Sequence, residues 1–509
     1  MSETLGLPVA TRRDWLGLMV IALPGLVVVM DLTILYLAVP TLTAALKPSP
    51  SQLLWIVDIY GFLLAGLLIT MGTLGDRIGR RRLLMIGAAA FAAASTLAAF
   101  STSAAMLIAA RAVLGIAGAT LAPSTLSLIR SMFADARQRT QAIAIWGASF
   151  AAGSALGPLV GGLLLEHFWW GAVFLVPVPV MGLLLLLGPR LLPEFRDPNA
   201  GRLDFASAEL SLAAVLAIIY GLKLVAQDGI GWTPVLSIAV GLVLGAIFIS
   251  RQRHLADPLI NLQLFRSPVF SATLVIFTLN AFVMFAVAFF TAQYFQLVLG
   301  LSPLQAGLLT LPAAISVIVG SMLSPTLVRR TSRSVVMIVG LLVCALGFGL
   351  LMLVGAGGQT VLVIGSVVTA LGAGPISTVV PDVIVGSAPP ERAGSAASLS
   401  SASAEFGGAL GVAVLGSIGL AVYRLVMVAS VPPGLPPEAA SVARETLGGA
   451  FAVARDLPPA VGAPLLEAAH RAFGQAFVAN ALICAVLMLI ATAIMAIATR
   501  RPDLTSSTM

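Results

Sequence analysis

Charge is what this chain has least of. Only 10% of its 509 residues are Asp, Glu, Lys or Arg, against roughly a quarter in soluble domains, so an ordinary water-soluble fold is excluded. Lysine is almost missing, with Lys47 and Lys223 standing against twenty-six arginines. The two cysteines, Cys344 and Cys484, lie inside apolar runs without metal-ligand spacing, which points to inert packing. Three histidines and no clustered carboxylates leave neither a metal centre nor a hydrolytic site in view. No G-x-x-x-x-G-K-[ST] loop or nucleophile motif is present, so the chain is not read as an enzyme. The polar lead over 1–14 has no small-residue cleavage site and is expected to stay in the cytoplasm. No soluble output domain follows the last apolar run, against a sensor, and no polar lining repeats along several runs, against a channel.

Apolar length fills the space that charge leaves. Hydrophobic residues make up 59% and mean hydropathy is +1.05, the signature of an integral membrane protein. Apolar runs fall at 15–38, 52–73, 83–101, 105–129, 141–165, 169–189, 207–226, 234–250, 269–292, 304–327, 334–354, 361–384, 396–423 and 474–498. Each is near the roughly twenty residues that cross a bilayer core, giving an all-α polytopic protein of fourteen spans. Even-numbered loops and both termini carry twenty-one Lys or Arg; the opposite side carries six, namely Lys47, Lys223, Arg424, Arg444, Arg455 and Arg471. That asymmetry places both termini in the cytoplasm. It also accounts for the +7 net charge as topology signal, with no nucleic-acid partner.

Polar linkers at 190–204 and 251–268 divide the spans into six, two and six. The expected units are an N-terminal bundle over 1–200, inserted spans 7 and 8 over 201–260, and a C-terminal bundle over 261–509. Ser49-Pro50 before span 2 and Ser302-Pro303 before span 10 hint at an internal repeat. Between spans 13 and 14, residues 427–473 are too polar to cross a membrane. Their apolar-periodic pieces at 438–455 and 460–473 predict two short amphipathic helices in an external hairpin, a plain linker being the alternative.

The most informative turn is Gly72-Thr73-Leu74-Gly75-Asp76-Arg77-Ile78-Gly79-Arg80-Arg81-Arg82. Its arginines mark a cytoplasmic loop, its glycines allow close approach or positive φ, and Asp76 can receive an arginine, which together describe a latch. The pattern G-x-L-G-D-R-x-G-R-R-R resembles the signature between helices 2 and 3 of the major facilitator superfamily. In span 5, Gly153, Gly157 and Gly161 form a smooth helix face, and Pro158 permits a bend. With Gly162 they match the G-x-x-x-G-P-x-x-G-G pattern of the drug:proton antiporters in that superfamily.

Ionisable groups at membrane depth demand a reason, since each costs about 2.5–3.5 kcal/mol on insertion scales. Four stand out: Asp31 in span 1, Asp58 in span 2, Arg111 in span 4 and Glu405 in span 13; Asp382 and Glu166 lie near span ends. Asp31 opens a stretch similar to the D-x-T-I-V-N-V-A-L-P motif of the fourteen-span branch, with Tyr36 where asparagine is usual. Arg111, with Gly115 and Gly118, resembles the R-x-x-x-G-x-x-G motif of span 4. Asp58 lies in a W-x-x-D-x-Y stretch with Trp55 and Tyr60. Glu405 follows Glu391-Arg392-Ala393-Gly394 in a region resembling E-R-A-G … E-L-G-x-A-L-G, with Phe406 in place of leucine.

The resemblance implies two six-helix bundles plus two inserted helices, and an antiporter that exports lipophilic, often cationic compounds across the bacterial inner membrane. Quaternary ammonium compounds, dyes such as ethidium and fluoroquinolones are substrates it suggests. The expected driver is the proton gradient, with no cofactor, and the expected state is a monomer in the lipid bilayer. Asp31 and Arg111 are the candidate proton-coupling pair, a static ion pair being the structural alternative. Asp58 and Glu405 are candidates for both proton and substrate, structural pairing being the alternative. An anionic group in an aromatic cavity is what a lipophilic cation needs, and Tyr36, Trp55, Tyr60, Trp146, Phe150, Phe282, Phe285 and Phe289 are the candidate walls. Export of an endogenous lipid, metabolite or peptide is the alternative within the same machinery; a membrane channel or sensor is the alternative outside it.

Overall fold

A long apolar chain inside a bilayer must satisfy its backbone hydrogen bonds within each segment, and helices do so. The computed structural model describes residues 10–196, 204–229, 231–255, 258–260, 262–386, 393–432 and 435–499. Among these, the α-helices in order are α1 (Arg12–Leu46), α2 (Pro50–Ile78), α3 (Arg80–Ala99), α4 (Ala104–Met132), α5 (Ala136–His167), α6 (Pro177–Leu191), α7 (Phe205–Asp228) and α8 (Trp232–His254). They continue as α9 (Pro268–Gln293), α10 (Pro303–Arg330), α11 (Arg333–Leu351), α12 (Val354–Gly386), α13 (Ala393–Ser430), α14 (Pro437–Glu445), α15 (Leu447–Arg455) and α16 (Pro459–Thr499). Fourteen helical segments are long and apolar enough to span a membrane, as expected from the sequence. No strand occurs among the described residues.

Helices α1 to α6 pack as one bundle, and α9 to α13 with α16 as the other. The Ser-Pro repeat marks equivalent helix starts. Ser49 caps α2 and Ser302 caps α10, each in a reciprocal capping box with the glutamine three residues on, Gln52 and Gln305, and each with proline in the first turn. The two bundles meet through α2 against α13 and α5 against α10. Glycine makes both contacts close. A Cβ on Gly61 would sit 3.0 Å from that of Ala409, and one on Gly162 would sit 2.7 Å from the Pro303 carbonyl oxygen. Gly307 lies directly on the Pro158 carbonyl. Gln296 adds a bond of 3.0 Å to the Leu37 carbonyl, and Glu166 accepts one of 3.3 Å from the Leu304 amide. These contacts run from mid-depth to the end opposite the arginine-rich turn, so the bundles are closed together at that end.

Helices α7 and α8 pack on each other, and α7 also lies against α2 and α13. Asp204 caps α7 through the Ser207 amide at 3.1 Å, while Arg251 at the end of α8 reaches Asp204 at 3.0 Å. Burial pushes the Asp204 carboxyl up, but the bonds from Arg251 and Ser207 outweigh it and leave the group below its ordinary range. The expected boundary between residues 200 and 201 lies outside the described residues.

The external hairpin differs from expectation. Its first piece is broken into α14 and α15 at Thr446, whose side chain caps α15. Its second piece is no separate helix, because α16 runs unbroken from Pro459 into the last span. Pro458-Pro459 starts that helix and does not isolate it, since proline is well tolerated in a first turn. Gly307→Val should force α5 and α10 apart at about 1–3 kcal/mol of overpacking. Spin labels at positions 167 and 301 should then gain a longer-distance population; an unchanged distance distribution would contradict this packing.

Candidate transport site

The buried charges are positioned by small residues. In α5, Gly153 lies on the Leu26 carbonyl, Gly157 on Thr33 and Gly161 on Ile34, so α1 is seated along α5 on both sides of Asp31. In α4, a Cβ on Gly115 would sit 2.6 Å from the Tyr60 carbonyl oxygen and one on Gly118 would sit 3.1 Å from Leu64. That close approach of α4 to α2 carries Arg111, one turn earlier, into the core.

Arg111 is fully buried. Its Nη1 lies 2.5 Å from Asp31 Oδ2, its Nε donates to the Ile56 carbonyl at 3.0 Å, and the Tyr60 ring flanks it with the centroid 4.8 Å away. One arginine thereby ties α4 to α1 and α2. The Tyr60 hydroxyl donates to the Val28 carbonyl at 3.4 Å. Tyr60 therefore belongs to this ion-pair layer and does not border the chamber described next.

Asp58 faces the other way, and its partner was not expected. Lys223 of α7 places Nζ 2.9 Å from Asp58 Oδ2 and 4.1 Å from the centroid of the Trp55 ring. Both side chains are at most 1% exposed. By distance this is an ion pair, although its angle is not that of a hydrogen bond. Charge counting places Lys223 in an outer loop, whereas the structure buries it inside a span. Asp58 is therefore not a free acid, and Trp55 stacks on lysine.

Glu405 has no ion-pair or hydrogen-bond partner among the described residues. It shares with Asp58 a narrow chamber lined also by Leu32, Tyr36, Val57, Gly61, Phe285, Ala409 and Val412. The space suffices for roughly one water molecule. Tyr36 packs edge-on against Phe289 at 5.7 Å, Phe285 lies over Gly408, and Gly411 rests on the Phe282 backbone. Tyr36 and Phe285 thus border the chamber, with Phe289 behind Tyr36. Trp146 and Phe150 do not border it. Phe150 packs on Gly25, and Trp146 donates to Thr125 Oγ1 at 3.0 Å while meeting the Phe150 ring edge-on. Asp382 pairs with Arg333 at 2.9 Å in an exposed bridge. Glu391 and Arg392 lie outside the described residues.

The arginine-rich turn folds as a latch within the first bundle. Arg80 Nη2 is 2.5 Å from Asp76 Oδ1. Arg81 donates to the Leu192 carbonyl at 3.0 Å, and its backbone amide donates to Glu194 at 3.1 Å. Gly79 has φ 108°, a conformation that favours glycine, and a Cβ there would strike Glu194. A Cβ on Gly72 would sit 3.7 Å from that of Pro123, Gly75 lies beside the Arg80 side chain, and the Arg77 carbonyl accepts from Arg196.

A family model described as the Major Facilitator Superfamily matches residues 21–412. The chain belongs to this superfamily. As a member it is a transporter and a multi-pass membrane protein, not an enzyme. "Multidrug efflux pump LfrA" of Mycolicibacterium smegmatis is 46% identical over 97% of this chain and 99% of its own length. "Methyl viologen resistance protein SmvA" of Salmonella typhimurium is 34% identical over 91% of this chain and 93% of its own. The "Tetracenomycin C resistance and export protein" of Streptomyces glaucescens is 34% identical over 91% and 87% respectively. The fold is shared with a bacterial homolog of the human lysosomal transporter Spinster, in its inward-facing and unoccupied conformation. Its TM-score is 0.68 at 19% identity, covering 96% of this chain and 98% of that one.

Breaking a buried ion pair by removing one partner costs about 3–5 kcal/mol, because the other charge is left uncompensated. Arg111→Met should therefore lower the thermal unfolding midpoint in detergent sharply, and Asp31→Asn with Arg111→Met should recover most of the loss. A double variant as unstable as the single one would refute the pairing as the source of that stability.

Proposed function

We propose that this transporter is a proton-coupled multidrug exporter that expels lipophilic, often cationic compounds from the bacterial cytoplasm across the inner membrane. The observation that carries the reading is Glu405, a half-buried carboxylate in mid-span that, unlike Asp31 and Asp58, has no cation beside it among the described residues and faces a chamber of aromatic and aliphatic walls. Such a group is stable at membrane depth only when protonated or when a cation neutralises it. Proton and substrate then compete for one carboxylate, and that competition couples their movements. In the outward-open state Glu405 takes a proton and the cation leaves. In the inward-open state it gives the proton up and becomes attractive to the next cation.

Asp31 and Arg111 serve as the coupling switch. While the pair is intact the carboxylate stays charged; when rocking of the bundles draws the arginine away, the carboxylate takes a proton. The chamber holds roughly one water, so substrate entry requires the bundles to part. With both termini and the arginine-rich loops in the cytoplasm, the closed ends of α5 and α10 face outward. The three curated relatives, whose names speak of efflux, resistance and export, support the direction of transport. The protein acts as a monomer and needs no cofactor beyond the proton gradient.

In energised inverted vesicles, ethidium uptake should collapse when the pH gradient is dissipated. It should fall at least tenfold in Glu405→Gln, and Asp31→Asn, less stable because Arg111 is left unpaired, should uncouple transport by its folded fraction from the gradient. Transport by Glu405→Gln at the wild-type rate would refute the role given to that acid. Transport that ignores the pH gradient would refute proton coupling.

A further inference from the structure

The charge at mid-depth does not sum to zero. The buried Asp31 and Asp58 and the half-buried Glu405 face two cations, Arg111 and Lys223, among the described residues of the spans. The second cation comes from α7, which lies outside both six-helix bundles and packs on α2 and α13 where they meet. Its ammonium rests between the Asp58 carboxylate at 2.9 Å and the Trp55 ring at 4.1 Å. A carboxylate beside an aromatic face is the pair of groups that holds an organic cation. Lys223 thus occupies, on a tether, a second cation position that opens on the same chamber as Glu405 through Asp58.

We propose that Asp58 and Trp55 form a second organic-cation subsite, that Lys223 fills it, and that this tethered ammonium restricts the transporter to substrates carrying a single positive charge. The inference rests on the export reading and names its substrate class. With Lys223 in place the chamber offers one net negative charge, which one proton or one monocation satisfies. A dication brings a second charge that meets the Lys223 ammonium or lies unpaired in apolar surroundings, and either is unfavourable. Exchange of one proton for one monocation also moves no net charge across the membrane. Without the ammonium, Asp58 and Glu405 present two carboxylates to one cavity, the arrangement a dication requires.

The test uses purified full-length protein and two probes, tetraphenylphosphonium with one charge and dequalinium with two. The wild type should bind the monocation preferentially. Lys223→Met should shift the ratio of the two Kd values at least tenfold toward dequalinium, and Lys223→Gln, neutral but polar, should shift it the same way if the methionine variant does not fold. Lys223→Arg, which keeps the charge, should leave the ratio near that of the wild type. A ratio unchanged in the folded neutral variant, with tetraphenylphosphonium still bound, overturns this inference and leaves the export reading standing. Wild-type protein that binds neither probe overturns the export reading and this inference with it.

Discussion

An ion that leaves water for a hydrocarbon interior must find a counter-charge or lose its own, and the middle of this protein is organised by that rule. Arg111 neutralises Asp31 at 2.5 Å and Lys223 neutralises Asp58 at 2.9 Å. Two of the three deep acids are thereby tied down, and Glu405 has no such partner among the described residues; on the proposed reading its charge is satisfied by a proton or by substrate. On that reading the asymmetry turns a set of deep ions into a site for exchange. Had all three acids carried partners, the interior would be electrically complete and would have no reason to bind anything.

Packing decides which acid is left over. The glycine stripe of α5 does not line the chamber; it lets α1 lie close enough for Asp31 to reach Arg111. Gly115 plays the same part between α4 and α2. Across the bundles, Gly61 admits Ala409 and brings the Glu405 turn of α13 against the Asp58 turn of α2. Helix α7 supplies from the side what neither bundle contains, a lysine at the depth of Asp58. The inserted pair α7 and α8 is therefore more than a spacer between the halves. Asp204 and Arg251 clasp its two helices together near one end, and Lys223 ties it to α2 near the other.

Much of this was legible in the sequence because membrane helices obey few rules and obey them strictly. Apolar length gave the fourteen spans, and Asp31, Asp58, Arg111 and Glu405 stood out because charge is so scarce at that depth. Lys223 was missed for a physical reason. Near the end of an apolar run, a lysine usually snorkels to the interface, and nothing in the linear pattern shows that α7 turns this one inward against α2. Its signal was rarity, as one of only two lysines in the chain. The aromatic residues were less legible still, since period alone does not tell a chamber wall from a packing contact. Tyr36 and Phe285 border the chamber, whereas Trp146 and Phe150 fill the space between helices. The fusion of 460–473 with the last span was hidden because a paired proline reads equally well as a break and as a first turn.

The central claim is that one carboxylate is shared between a proton and an organic cation. It is tested most directly by counting protons released when tetraphenylphosphonium binds to the purified protein, by calorimetric titration at one acidic pH in buffers of different ionisation enthalpy. The account predicts release of about one proton per cation bound, as linkage requires when both compete for one group, with the release absent in Glu405→Gln. Saturable binding to the wild type with no proton released at acidic pH, or the same release from the Glu405→Gln variant, would contradict it.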